Sequence, residues 1–70
     1  PRKSHRSVRE QQEYVLSAFP EVGPRTARAL LEAFGSLIGV LSAEPAALEA
    51  VPGVGAKTAA RIYEFVRQGY

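Results

Sequence analysis

The sequence predicts an all-α domain: two helix-turn-helix hairpins joined by a short connecting helix, five helical segments in all. Three observations carry this. No stretch alternates apolar and polar residues with period two, so strands are not expected. Apolar residues recur instead at helical spacing, i, i+3, i+4 and i+7, between Gly and Pro punctuation. The third observation is a repeat: Phe19-Pro20-Glu21-Val22-Gly23-Pro24-Arg25-Thr26-Ala27 returns as Val51-Pro52-Gly53-Val54-Gly55-Ala56-Lys57-Thr58-Ala59, displaced by 55 − 23 = 32 positions. A repeat this short marks one supersecondary unit used twice.

Each segment has its own start and stop signals. Ser7-Val8-Arg9-Glu10 has the form of a capping box, which starts a first helix at Val8 and carries it to Ala18. Val8, Val15, Leu16 and Phe19 are expected along its apolar side, with Glu10, Gln11, Glu13 and Ser17 in water. Pro20 ends it, because the residue before proline is pushed out of helical geometry. In the second helix Gly23 supplies the sharp turn, Pro24 suits the first helical position, and Ala27, Leu30, Leu31 and Phe34 form the buried stripe. Gly35 stops it with a left-handed residue. Ser36 opens a third, short segment whose Leu37, Ile38, Val40 and Leu41 are too apolar for the surface and which Gly39 weakens as an isolated helix. Ser42 and Pro45 start a fourth segment through Leu48 to Ala50, closed by Pro52. The last helix runs from Ala56 to Gln68 with Ala59, Ile62, Tyr63 and Val66 as its core stripe and Gly69 as terminator.

The bulk numbers bound the rest. Seventy residues make one domain that buries only about 60% of its unfolded surface, so stability should be marginal without a partner or a larger parent protein. The absence of cysteine excludes a disulfide framework and a thiolate metal site and fits a reducing compartment. No apolar run approaches the roughly 20 residues of a membrane helix, and the basic start lacks the apolar stretch of a signal peptide, so no membrane partner is expected. Net charge is only +2, with pI 9.4, but Arg2, Lys3, Arg6 and Arg9, with His5 among them, all precede the first acid. Residues 1–6 read as a basic linker or arm, either a solvated leader or an auxiliary phosphate contact, and residues 7–70 as the domain proper. The start on Pro1 suggests a piece of a longer protein. All seven acids are Glu and none cluster at metal-ligand spacing, so most read as solvated helix faces.

The repeated corner carries the functional signal. Each copy is a tight turn ending in glycine that opens into a helix with a cation in its first turn. That aims unpaired backbone N–H groups, the positive end of a helix dipole and an Arg or Lys at one point in solvent. Such a point takes an anion, and two of them on a basic domain imply a polyanion. In Pro52-Gly53-Val54-Gly55, glycine permits positive φ and lets a phosphate oxygen approach the backbone, while Val54 plugs between the two helices. The amides of Gly55, Ala56 and Lys57 become donors, and Lys57 adds charge. A lone copy would read as a plain helix-helix turn; the second copy argues against that. The candidate contacts are Gly23, Arg25, Thr26 and Arg28 in the first hairpin and Gly53, Val54, Gly55, Ala56, Lys57, Thr58 and Arg61 in the second. Contacts to phosphates rather than base edges imply sequence-independent, salt-dependent binding. Glu21 stands where the second copy has Gly53, an acid beside the anion site. It is expected either to cap the following helix or to turn outward, and Glu21→Gly should tighten binding if this hairpin touches phosphate.

The paired hairpins resemble the tandem helix-hairpin-helix DNA-binding domain. Arg9-Glu10-Gln11-Gln12-Glu13-Tyr14, Phe19-Pro20-x-Val22-Gly23-Pro24 and Leu30-Leu31-Glu32-x-Phe34-Gly35-Ser36 look more narrowly like the C-terminal domain of the archaeal XPF/Hef family of structure-specific DNA endonucleases, over residues 7 to 70. The hairpin is shared with other repair proteins, among them the C-terminal part of the bacterial UvrC nuclease subunit. The resemblance implies binding of double-stranded and branched DNA in an intracellular setting, cytoplasmic or nucleoid if archaeal, and the positioning of an adjoining nuclease domain that uses Mg²⁺. The family's nuclease motif, Glu-Arg-Lys with additional acids, has no match, so this part should hold no cofactor and bind without cutting. A nuclease or glycosylase, and a protein-interaction module with purely structural hairpins, are the rival readings. The family also implies dimerisation, here as a homodimer. Phe65 falls well off the helical stripe, toward the side carrying Arg61, and Tyr70 lies past the expected stop. Each is either a local cover or an anchor, and Tyr63, Phe65, Val66 and Tyr70 form the expected interface.

Overall fold

The computed structural model describes residues 7–70, and the basic arm expected at 1–6 lies outside the described residues. Among the described residues there are five helices and no strand: α1 (Val8–Leu16), α2 (Pro24–Phe34), α3 (Leu37–Ser42), α4 (Pro45–Glu49) and α5 (Ala56–Arg67). α1 packs on α2, α4 on α5, and α3 bridges α2 and α5. The all-helical hairpin pair is therefore as expected from the repeat.

The core is itself a repeat. Leu16 and Leu48, Val22 and Val54, Ala27 and Ala59, and Leu30 and Ile62 are all buried, and each pair is separated by the same 32 positions. Burying such side chains supplies about 25 cal/mol per Å² of apolar surface. Backbone bonds follow the same operator. Val22 N–H donates to the Phe19 carbonyl at 3.1 Å and Val54 N–H to the Val51 carbonyl at 3.1 Å; Ala27 to Gly23 and Ala59 to Gly55 are both 2.9 Å. α4 is the shortened counterpart of α1.

Several boundaries and faces differ from the sequence reading. α1 stops at Leu16, short of Ala18, as Ser17 Oγ donates back to the Glu13 and Tyr14 carbonyls at 2.8 and 3.1 Å and the chain tightens, Phe19 N–H reaching the Leu16 carbonyl. Hydroxyl bonding to the preceding turn competes with helix continuation, and it leaves Ser17 half-buried rather than wet. Of the expected apolar side, only Leu16 is buried and Phe19 packs partly on the core; Val8 and Val15 are exposed, because the side of α1 that carries them has no helix against it. The expected capping box is present, with Ser7 Oγ accepting from Glu10 N–H and Glu10 Oε1 from Ser7 N–H.

α2 begins at Pro24 and ends on left-handed Gly35, whose N–H donates to the Leu31 carbonyl at 2.8 Å. In α3, Val40 is buried and Leu37 and Leu41 are half-buried, but Ile38 is exposed, so this helix wedges by one face only. Gly39 marks a close approach as well as a weak helix former: a Cβ there would meet the Phe34 carbonyl oxygen at 2.7 Å. Ser42 closes α3, and α4 opens with Pro45 at its first position. In α5 the buried stripe is Thr58, Ala59 and Ile62. Tyr63 is half-buried beneath the Arg67 guanidinium, 3.7 Å from its ring centre, and Val66 is exposed. α5 ends because Gln68 turns extended (φ −69°, ψ 133°), without a left-handed glycine at position 69.

Candidate nucleic-acid interface

The two corners share one geometry. Gly23 (φ −87°, ψ −179°) and Gly55 (φ −90°, ψ 175°) are the N-cap residues of α2 and α5, and neither helix start is closed by a side-chain bond. A helix start leaves its first amides without intrahelical partners. At the second corner these are Ala56, Lys57 and Thr58. At the first they are Arg25 and Thr26 alone, because Pro24 has no N–H. The dipole's positive end adds to each.

The backbone at Gly23 and Gly55 is extended, which any residue adopts, and a Cβ at either position would meet no atom within 4 Å. The fold does not require glycine at either place, so these two glycines keep open space in front of bare amides. The positive φ expected of the corner instead falls two residues earlier, at Gly53 (89°) and at Glu21 (71°).

Val54 and Val22 are the buried plugs, so Val54 shapes the corner from behind and its side chain is no surface contact. Thr58 is 6% exposed, and its hydroxyl donates to Glu21 Oε1 at 3.1 Å, so that hydroxyl is engaged within the protein. The Glu21 carboxylate thus reaches across to the second hairpin and does not cap its own helix, although the residue as a whole is exposed. Lys57, Arg25 and Arg61 are exposed and form no ion pair among the described residues; Arg28 Nε is 3.4 Å from Glu13 Oε2. Lys57 therefore offers an uncommitted charge beside the donors, while Arg28 is shared with α1, an exposed pair of the kind that holds weakly. The structure brings together Gly53, Gly55, Ala56 and Lys57, and separately Gly23, Arg25 and Thr26. Among the described residues no group of three or more His, Asp or Glu is arranged to hold a metal, and no helix is long and apolar enough to cross a membrane.

Sequence reasoning missed the Glu21–Thr58 bond. The repeat held the signal for it: position 21 corresponds to 53 and position 58 to 26, and a Cβ on Gly53 would lie 3.3 Å from Thr26 Oγ1. Each corner residue therefore faces the threonine of the opposite hairpin.

On the outer face of α5, Phe65 makes an edge-to-face contact with Phe19, centroids 5.1 Å apart at 85°, yet stays 68% exposed. With Ala18, Pro20 and Arg61 they line a groove of about 270 Å³. Tyr70 is fully exposed.

The chain belongs to the SAM-like helix-hairpin-helix tandem family, which it matches over residues 13–68. Its fold matches that of XPF from Aeropyrum pernix with a TM-score of 0.88 and 38% identity, covering 100% of this chain and 33% of that one. A second structure of that protein, in complex with DNA, gives 0.87 and 42% over 93% of this chain and 32% of that one. In sequence the chain is 38% identical over 68 residues to UvrABC system protein C of Dichelobacter nodosus and 43% identical over 68 residues to that of Anaplasma marginale, in each case 94% of this chain. It spans about a tenth of those relatives, 11% of each. The likeness drawn from the sequence is thus met on both sides, by archaeal XPF in structure and by UvrC in sequence.

Proposed function

We propose that this domain binds double-stranded and branched DNA through backbone phosphates, and that it positions a structure-specific nuclease domain of a longer repair protein. The observation that carries this reading is the pair of glycines whose lack of a side chain serves nothing in the fold. Each leaves open space before uncapped amides, with an exposed cation two residues on. The structural likeness to a protein seen in complex with DNA supports the same ligand. The binding residues are Gly23, Arg25 and Thr26 in the first corner and Gly53, Gly55, Ala56 and Lys57 in the second, with Arg28 and Arg61 flanking. In this reading cleavage, with Mg²⁺, belongs to the nuclease domain, and the longer protein acts on DNA inside the cell.

We further propose a homodimer through α5 and the residues after it, with Phe65 on the outer face as the anchor and Tyr63, Val66 and Tyr70 as the other expected contacts. The exposure of Phe65 beside an apolar groove supports this, since reciprocal burial would strengthen a small core. Sedimentation of Phe65→Ala should show a shift toward monomer, whereas an unaltered mass removes Phe65 from the interface.

Fluorescence anisotropy with labelled duplex, fork and flap DNA at rising salt tests the main reading. The domain should bind all three at low salt without sequence preference, tighter on branched DNA, and should leave the flap uncut in Mg²⁺. Absence of binding at low salt would favour a protein-interaction module, and cleavage would overturn binding without cutting.

A further inference from the structure

We infer that Glu21 is a positioning residue for DNA binding. Its carboxylate, tied to Thr58 in the first turn of α5, couples the two phosphate-facing corners so that they engage one duplex as a rigid pair. This rests on the DNA-binding reading above.

Three observations carry it. Glu21 is the only non-glycine residue with positive φ among the described residues (71°). A side chain held there by its surroundings is strained, and such strain is retained where something else over-determines it. Packing of the buried plug Val22 holds that backbone, and the side chain it carries accepts from Thr58 Oγ1 at 3.1 Å, a bond that joins residues 37 apart in sequence and from opposite hairpins. Thr58 is 6% exposed, so its hydroxyl needs this acceptor. At the related place in the other half, Gly53 offers no acceptor, and Thr26 Oγ1 makes no hydrogen bond among the described residues. The two hairpins are thus linked by side chains at one of two equivalent points, and that point is the start of the helix carrying Lys57.

The sign of the effect separates coupling from simple charge. If Glu21 acted only as an acid near phosphate, removing it would tighten binding, as the sequence alone suggests. As a coupler, its removal weakens binding although a negative charge is lost. Glycine is the cleanest replacement, because it accepts the backbone conformation without strain. Glu21→Gly should bind duplex DNA about threefold to tenfold more weakly than the unaltered domain. Its salt dependence should be shallower by about 0.9 for each phosphate no longer engaged. Glu21→Gln, which keeps the acceptor and removes the charge, should bind at least as tightly as the unaltered domain. Thr58→Val should match Glu21→Gly, and the double variant should be no worse than either. A role confined to stability would lower the melting temperature and leave the salt slope of the folded domain unmoved.

Unchanged or tighter binding by Glu21→Gly overturns the coupling, as does a Glu21→Gln variant as weak as Glu21→Gly. Should the unaltered domain fail to bind DNA at low salt, the DNA reading falls, and the coupling is judged in the free protein. Residual dipolar couplings should then show α2 and α5 reoriented in Glu21→Gly, and an unchanged orientation overturns it.

Discussion

The first and second hairpins reach the same backbone from different residues. At the second corner glycine occupies the left-handed position, alanine opens the helix and the nearby lysine is uncommitted. At the first, glutamate takes the left-handed position, proline opens the helix, and Arg25 is as uncommitted as its counterpart Lys57, while the additional Arg28 is shared with Glu13. Yet the N-cap angles agree within a few degrees and the closing bonds have equal lengths. The corner is therefore fixed from behind, by the buried plugs Val22 and Val54 and the paired core, and tertiary packing overrides the local preference of the corner residue. What differs is the chemistry on offer: each corner has an exposed, uncommitted cation two residues past its glycine, Arg25 or Lys57, but the second presents one more amide, so it should be the stronger phosphate site.

The largest expected effect tests whether the core is as symmetric as it looks. Leu30→Ala and Ile62→Ala, at equivalent fully buried positions, should each cost about 2–5 kcal/mol in chemical unfolding, and a small cost at one alone would break the equivalence. Next comes the asymmetry of the corners. Lys57→Glu should weaken DNA binding across all sequences and flatten the salt slope by about 0.9 per lost phosphate contact, with Arg25→Glu doing less; the reverse order would make the first corner dominant. A third comparison concerns the left-handed residues. Gly53→Ala should lose about 1–2 kcal/mol of stability from backbone strain. Glu21→Gly should change stability by less, since relief of similar strain offsets a lost hydrogen bond of about 0.5–1.5 kcal/mol. The smallest effect is at the ion pair: Glu13→Gln should lower stability by no more than about 1 kcal/mol while freeing Arg28, so DNA binding should tighten slightly in anisotropy titrations.

Much of this was legible in the residues. The 32-position displacement announced the paired hairpins, the capping box announced the start of α1, and Pro24 and Gly35 marked the limits of α2. Helical periodicity located Leu16, Leu30 and Ile62 in the core, and sheer apolar density located Val40. Periodicity failed at Val8, Val15 and Val66, and apolar density at Ile38, for one reason: each shows which residues are apolar, but how far a neighbour reaches over them depends on the lengths and crossings of other helices. In a domain this small the partners run out before the stripe does. Glu21 was misread for a related reason. Its place beside the anion site is local information, whereas its partner Thr58 lies 37 residues away, and only the pairing of repeat positions 21 and 58 with 53 and 26 hints at it.

An NMR titration of the domain with a short DNA junction, following backbone amides, tests the central claim most directly. Gly23, Arg25 and Thr26 should shift together with Gly55, Ala56 and Lys57, the second set moving further, and all should return as salt is raised. Shifts confined to other surfaces, with both corners unmoved while DNA is bound, would contradict the account.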